Sequence, residues 1–231
     1  MTYIIGDICG NIEKYQKMTE KLNPRDTDSI FVVGNVLCGE NGIEILKDMM
    51  FKPNVFPVLG QHEYYAKKLL PLVSQYGSAE KAAENMSAEE KELFAQWVKL
   101  GCEKTLSDFA GLDEEGKESI LDYLEEFNAY EEITEGGKTF VITNAGIRNF
   151  DEEKELEDYS EEDFVFAVTD YGTPYFSDKY LVTGHTPTAK IGREFAGKVY
   201  SKKRHLAIDC GVLYGGNLAA VCLSPLKVYY C

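Results

Sequence analysis

Basic residues are in short supply in this chain: 24 Lys and Arg stand against 39 Asp and Glu, a formal net charge of −15. A chain so acidic repels phosphate backbones and anionic bilayers, which excludes bulk electrostatic binding to nucleic acid or to a membrane surface. No apolar run approaches the roughly 18 residues of a membrane span. The opening MTYIIGDICG lacks a basic n-region and a long apolar core, so it does not read as a secretory signal. The six cysteines, at 9, 38, 102, 210, 222 and 231, contain no CxxC pair. They read as reduced thiols of a cytoplasmic protein. No internal repeat, low-complexity stretch or Pro- or Ser-rich linker divides the chain. What is present is ordinary globular composition, 44% hydrophobic and 27% charged. A chain of this length buries roughly 70–75% of its unfolded surface, enough for one sizeable core. A single domain over 1–231 is the expectation.

The first sixty residues repeat one pattern three times. YIIG (3–6), SIFVVG (29–34) and NVFPVLG (54–60) are short apolar runs, each ending in glycine and a polar turn. Helix-like periodicity follows each, over about 11–22, 42–50 and 61–70, with Pro71 expected to end the third. Strands alternating with helices predict parallel pairing through crossovers, with polar residues gathered at the strand carboxyl ends. The stretch 78–132 reads as helical, with Leu93, Phe94, Trp97 and Val98 on one apolar face and Ile120, Leu121, Leu124 and Phe127 on another. Beyond it come TFVIT, KYLVTGHTPT and the short strands KVYS, HLAIDCG, NLAAVCLS and LKVYY. Trp97 is expected in the core, His205 in a structural role, Gly215-Gly216 in a hairpin turn, and Lys202-Lys203-Arg204 in a solvated turn.

The polar strand ends are GDICG (6–10), GNVLCGE (34–40), GQHE (60–63), NAG (144–146) and GHTPT (184–188). In order and context they resemble the calcineurin-like metallophosphoesterases, above all the bacterial serine/threonine protein phosphatases, whose motifs read GDxHG, GDxxDRG, GNHE, HAG and GHTP. The resemblance covers nearly the whole chain. It implies an α/β sandwich of two mixed sheets flanked by helices, with an acidic helical insertion at about 78–132. It also implies two divalent metals, bridged by an aspartate and a hydroxide, that activate the nucleophile while a histidine protonates the leaving group. Carried over by position, one metal would use Asp7 and residues 9 and 35. The other would share residue 35 and add residues 61, 144 and 185. Residue 62 would be the general acid, held by an acid at 38, and arginines at 39 and 168 would grip the phosphate.

Most of these positions depart from the family pattern. The chain has Cys9 for histidine, Asn35 for the bridging aspartate, Cys38 for aspartate and Gly39 for arginine. Gln61 replaces asparagine, Asn144 replaces histidine, and Val168 falls where an arginine is expected. Asp7, His62 and His185 remain. Two dications bring four positive charges, and an amide oxygen cannot bridge them as a carboxylate does. A normal dinuclear centre is therefore not expected, and the cofactor is none or one weakly bound divalent metal (zinc, manganese or iron).

The leading expectation is a catalytically impaired phosphatase-like protein that binds an unknown protein or a small phosphorylated ligand in the old cleft, with no nucleic-acid or membrane partner. The alternatives are an active phosphoesterase with a single metal held by Asp7, Cys9 and His185, and a scaffold that works through its acidic helices. Cys9 and Cys38 stand open between space-filling thiols, a soft-metal site and a redox-sensitive pair. The acidity is local: 78–132 holds 16 acids and 5 bases, and 151–163 holds 9 acids and 1 base. These segments sum to −11 − 8 = −19, so the rest of the chain is mildly basic at −15 + 19 = +4.

Overall fold

A computed structural model describes all 231 residues. Strand β1 (Thr2–Ile5) leads to α1 (Ile12–Leu22), β2 (Ser29–Val33) to α2 (Gly42–Met50), and β3 (Val55–Val58) to α3 (Gln61–Tyr76). Four helices follow: α4 (Ala79–Asn85), α5 (Ala88–Leu100), α6 (Glu103–Ala110) and α7 (Glu114–Glu125). Then come β4 (Tyr130–Glu135), β5 (Lys138–Thr143), α8 (Glu161–Val165), β6 (Tyr180–Thr183) and α9 (Thr188–Ile191). The chain finishes with β7 (Tyr200–Lys202), β8 (His205–Ala207), β9 (Ala219–Leu223) and β10 (Leu226–Tyr230).

The strands form two mixed five-stranded sheets, in the orders β10-β9-β1-β2-β3 and β4-β5-β6-β8-β7. Alternation along each strand divides the core. Tyr3 and Ile5 of β1, with Ile30 and Val32 of β2, face the helices, whereas Ile4, Phe31 and Val33 face the second sheet. Phe140, Ile142, Val182 and Leu206 meet them from that sheet, and Val141 and Leu181 face outward onto Leu156, Tyr159 and Phe164. Both sheets are therefore buried on two faces, which explains why their strands read as nearly continuous apolar runs. β1, β2 and β3 are parallel, as are β5, β6 and β8. Six parallel strands thus deliver their carboxyl ends to one edge of the sandwich.

The helices α4–α7 share the main core: Trp97, Cys102, Phe109, Ile120, Leu124 and Phe127 lie in the same buried cluster as Tyr3 and Ile5. Their starts carry the expected caps, a Ser87/Glu90 capping box on α5 and an Asp113 side-chain cap on α7. No helix is long and apolar enough to cross a membrane.

Four local expectations need correction. Helix α3 continues through Pro71 to Tyr76, because Leu69, Leu70 and Val73 are buried while Pro71 is exposed, so packing outweighs one lost backbone bond. The helical stretch ends at Glu125, and Tyr130–Glu135 pairs as β4 with β5 across Gly136-Gly137. Val98 lies off the buried face of α5, 40% exposed. Gly215-Gly216 is not a hairpin turn: it follows a 3₁₀ turn at Val212–Tyr214 on the crossing from β8 in one sheet to β9 in the other.

Truncating the inter-sheet core is expected to be costly. Phe140→Ala should lose about 3–5 kcal/mol, read as a lower urea midpoint at unchanged slope, while Phe51→Ala, 85% exposed, should stay within about 0.5 kcal/mol.

Candidate functional site

The strand ends bring Asp7, Cys9, Asn35, Cys38, Gln61, His62, His185 and Asp209 around one cleft of about 450 Å³. Its rim adds Lys99 and Leu100 from the end of α5, Lys190 from α9, and Leu213 and Tyr214 from the sheet crossing. Three buried carboxyls organise it. Asp7 accepts the His185 backbone N–H at 2.9 and 3.0 Å on its two oxygens, and its Oδ1 also accepts Asn35 Nδ2–H at 2.7 Å. Glu63, fully buried at the start of α3, accepts the N–H of Asn35 at 2.7 Å and of Leu37 at 2.8 Å. Asp209 accepts the Gly211 N–H at 2.8 Å.

Each acid fixes a turn of another strand or its own. The turns are tight: Cys9, Asn35 and His185 all hold left-handed φ values, 49°, 52° and 60°, a conformation that costs a non-glycine residue free energy. At Gly184 a Cβ would overlap the Asp7 carboxylate, so glycine is required there for the two turns to meet.

Burial and the neighbouring Asp209 carboxyl push Asp7 well above the usual carboxylate range, and its hydrogen bonds only partly oppose this. Burial raises Asp209 as well, with Lys190 partly restoring it. His185 is pushed down, first by burial and then by Lys190 and His62, which favours the neutral ring. A hydrogen bond from the Cys9 thiol and a further one from His62 lower Cys38, against the opposing effect of burial. The Cys9 thiol is raised in turn, first by that bond, then by burial and Asp7.

Trp97 does more than fill the core. Fully buried on α5, it donates Nε1–H to His62 Nδ1 at 3.3 Å. A ring accepting at Nδ1 carries its proton at Nε2, so an indole sets the tautomer where the family pattern uses an acid at position 38. A doubly protonated ring would have to give this bond up.

Three expected positions lie outside the cleft lining. Asn144 is fully buried and donates Nδ2–H to the Val33 carbonyl at 3.0 Å, which leaves its Oδ1 without a partner. Val168 is 94% exposed and lines a separate depression with Asn149 and Pro174. Gly39 sits behind the lining, against the Cys9 carbonyl. Four contributors escaped the sequence reading. Asp209 lies just past the end of β8 within HLAIDCG, and the strand-end rule alone would have found it. Lys99, Lys190 and Tyr214 left no such signal, because their positions depend on how α5, α9 and the crossing pack. His205 is structural: 2% exposed, it is stacked on Tyr171 and bonded to Thr183, and burial lowers its pKa to about 4.

The family model for calcineurin-like phosphoesterases matches residues 2–216. The chain belongs to the calcineurin-like phosphoesterases. Among solved structures, one described as "a putative diadenosine tetraphosphatase" is 17% identical, with a TM-score of 0.62 over 100% of this chain and 92% of that one. A hypothetical protein from Pyrococcus horikoshii OT3 is 13% identical, with a TM-score of 0.47 over 100% of this chain and 87% of that one. The first likeness shows the same fold. None of the curated proteins matches. Phosphoesterases of this family depend on metals, yet no three His, Cys, Asp or Glu side chains converge here as a metal-holding group.

Two predictions follow from the geometry. Trp97→Phe should free His62 Nδ1, so the imidazole nitrogen shifts in NMR change from one Nε2–H tautomer to a mixture; an unchanged spectrum would contradict the assignment. Because the folded-state pKa of Asp209 is raised, the fold binds more protons than the unfolded chain above about pH 4. Stability conferred by the neutral carboxyl is therefore lost as pH rises from there towards neutrality. Asp209→Asn, which keeps the acceptor for Gly211, should raise Tm at pH 7 by about 3–6 °C, with the gain shrinking towards pH 4.

Proposed function

We propose that this chain is a binding member of its family, in which metal-dependent phosphoester hydrolysis is impaired and the cleft takes a small phosphorylated ligand. The observation that carries this is the hydrogen bond from Asn35 Nδ2 to Asp7 Oδ1 at 2.7 Å. The two groups that would share a cation in the family pattern share an N–H instead. Asp7 also accepts the His185 backbone N–H on both oxygens, and burial favours its neutral form.

The donor set fits a dinuclear centre poorly. Asn35, Gln61 and Asn144 are neutral amides, and the buried Asn144 oxygen has no donor. With one surviving carboxylate at the family's ligand positions, two dications would face uncompensated repulsion in a partly desolvated site. With Nδ1 accepting from Trp97, His62 can offer Nε2–H as a donor to an anion.

A phosphate-type ligand is supported by the rim. Lys99 and Lys190 both line the cleft, and neither has a carboxylate within ion-pair distance. They stand in for the missing arginine grip as two point charges. Tyr214, 71% exposed beside Leu213 and Leu100, offers an apolar shelf at the same mouth.

The purified protein should show no hydrolysis of p-nitrophenyl phosphate above blank with Mn²⁺, Zn²⁺ or Fe²⁺. It should bind pyrophosphate by calorimetry, and the double variant Lys99→Ala/Lys190→Ala should weaken that binding by about tenfold or more. Metal-dependent turnover abolished by His62→Ala would favour the single-metal phosphoesterase instead. Capture of a protein partner lost on charge reversal along α5 and α7, with the double lysine variant unaffected, would favour the scaffold.

A further inference from the structure

A second cavity, of about 370 Å³, opens on the helix-covered face of the first sheet and shares no residue with the cleft. Its floor is the sheet itself: Ile5 of β1, Ile30 and Val32 of β2, and Val55 of β3. All four belong to the main core and are 8% exposed or less, so the cavity meets core carbons rather than ordinary surface. One wall is α1, through Tyr15, Thr19 and Glu20, and the other is the segment entering β3, through Lys52 and Asn54. The turn between α1 and β2, with Asp26, closes the end. Hydrogen bonds hold these walls in place. Asn54 Nδ2–H donates to the Asp28 carbonyl at 2.9 Å, and the Asp28 carboxylate accepts the Arg25 N–H at 2.9 Å. The Asn23 N–H closes α1 on the Thr19 carbonyl. The frame is therefore formed in advance of any ligand, as in most small-molecule sites.

The charges around this cavity are unequal. Lys52 is already engaged: its ammonium pairs with Asp48 and donates to the Tyr15 hydroxyl at 3.2 Å. Tyr15 gives its own proton to Asp48 at 2.7 Å. Glu20 and Asp26, by contrast, have no cation within ion-pair distance. An inorganic cation would leave the apolar floor uncovered, and a hydrocarbon would leave both carboxylates unmatched. An organic anion would meet repulsion at the mouth. We propose that this cavity binds a small organic amine with an aromatic body. The ring lies on Ile30, Val32 and Val55, and the ammonium is met by Glu20 and Asp26. The volume of about 370 Å³ falls within the roughly 300–1,000 Å³ of small-molecule sites. The cavity sits at the amino ends of β2 and β3, and the cleft sits at the carboxyl ends of the strands. The inference therefore holds whatever the cleft binds.

The test is a titration of the full-length protein with phenethylamine, followed by methyl NMR. The Ile5, Ile30, Val32 and Val55 methyl signals should shift together, with a dissociation constant of about 1 mM or below. The acid of similar shape, 3-phenylpropionate, should leave them in place. Glu20→Gln/Asp26→Asn, at two exposed positions, should weaken amine binding by about tenfold. Thr19→Phe should block it by filling the cavity from α1. Should Thr19→Phe fail to fold, the surface double variant decides with the wild-type shift map. Methyl signals unmoved by about 10 mM amine would overturn the proposal. So would equal shifts with 3-phenylpropionate, unchanged affinity in the double variant, or shifts confined to Leu100 and Leu213 at the cleft mouth.

Discussion

The cleft depends on one constraint: buried carboxyls serve as acceptors for the backbone N–H groups of the strand-end turns. Glu63 takes two from the turn after β2, Asp7 takes the His185 N–H from the turn after β6, and Asp209 takes one from the crossing after β8. Tight turns at the rim of a sandwich leave donors that helices and sheets cannot satisfy, and a buried acid is a compact way to pair them. Those acids are held in low-dielectric surroundings by the packed sheets, so Asp7, Glu63 and Asp209 are all pushed upward in pKa. The turns in turn hold Cys9, Asn35 and His185 in left-handed conformations, at a cost the rest of the core sustains.

On the proposed reading, this arrangement lets a family frame persist while its chemistry changes. The turn anchors need acceptors and glycines, and those are present. A metal bridge needs a second carboxylate at position 35, and the amide there is recruited into the turn network as a donor. The Asn35–Asp7 bond closes the pair on itself. Likewise, Trp97 orients His62 by donating to its Nδ1. The cleft is left with two imidazoles, two cysteines and two lysines that have no carboxylate within ion-pair distance.

Much of this was legible in the sequence, and the reasons for the rest are physical. Three apolar runs with glycine-polar ends specify parallel strands and a shared edge, and Asp7, Asn35, His62 and His185 do meet there. Pro71 misled, because burial of Leu69, Leu70 and Val73 outweighs one missing hydrogen bond. β4 was hidden in an acidic stretch, because its pairing with β5 is a tertiary fact. Asn144 and Val168 were placed by position alone, and neither reaches the cavity, since Asn144 is recruited to the Val33 carbonyl and Val168 faces solvent. Lys99 and Tyr214 belong to segments whose approach to the cleft no local pattern encodes.

The central claim is that the Asp7–Asn35 pair is closed by an N–H and does not accommodate the family's metal pair. Its most direct test is metal content by elemental analysis after dialysis against excess Mn²⁺ and Zn²⁺, compared between the native protein and Asn35→Asp. The account predicts far less than one ion per native chain, with uptake rising in the variant that restores the bridging carboxylate. Two ions per native chain, lost in Asp7→Asn and in His185→Ala, would contradict it.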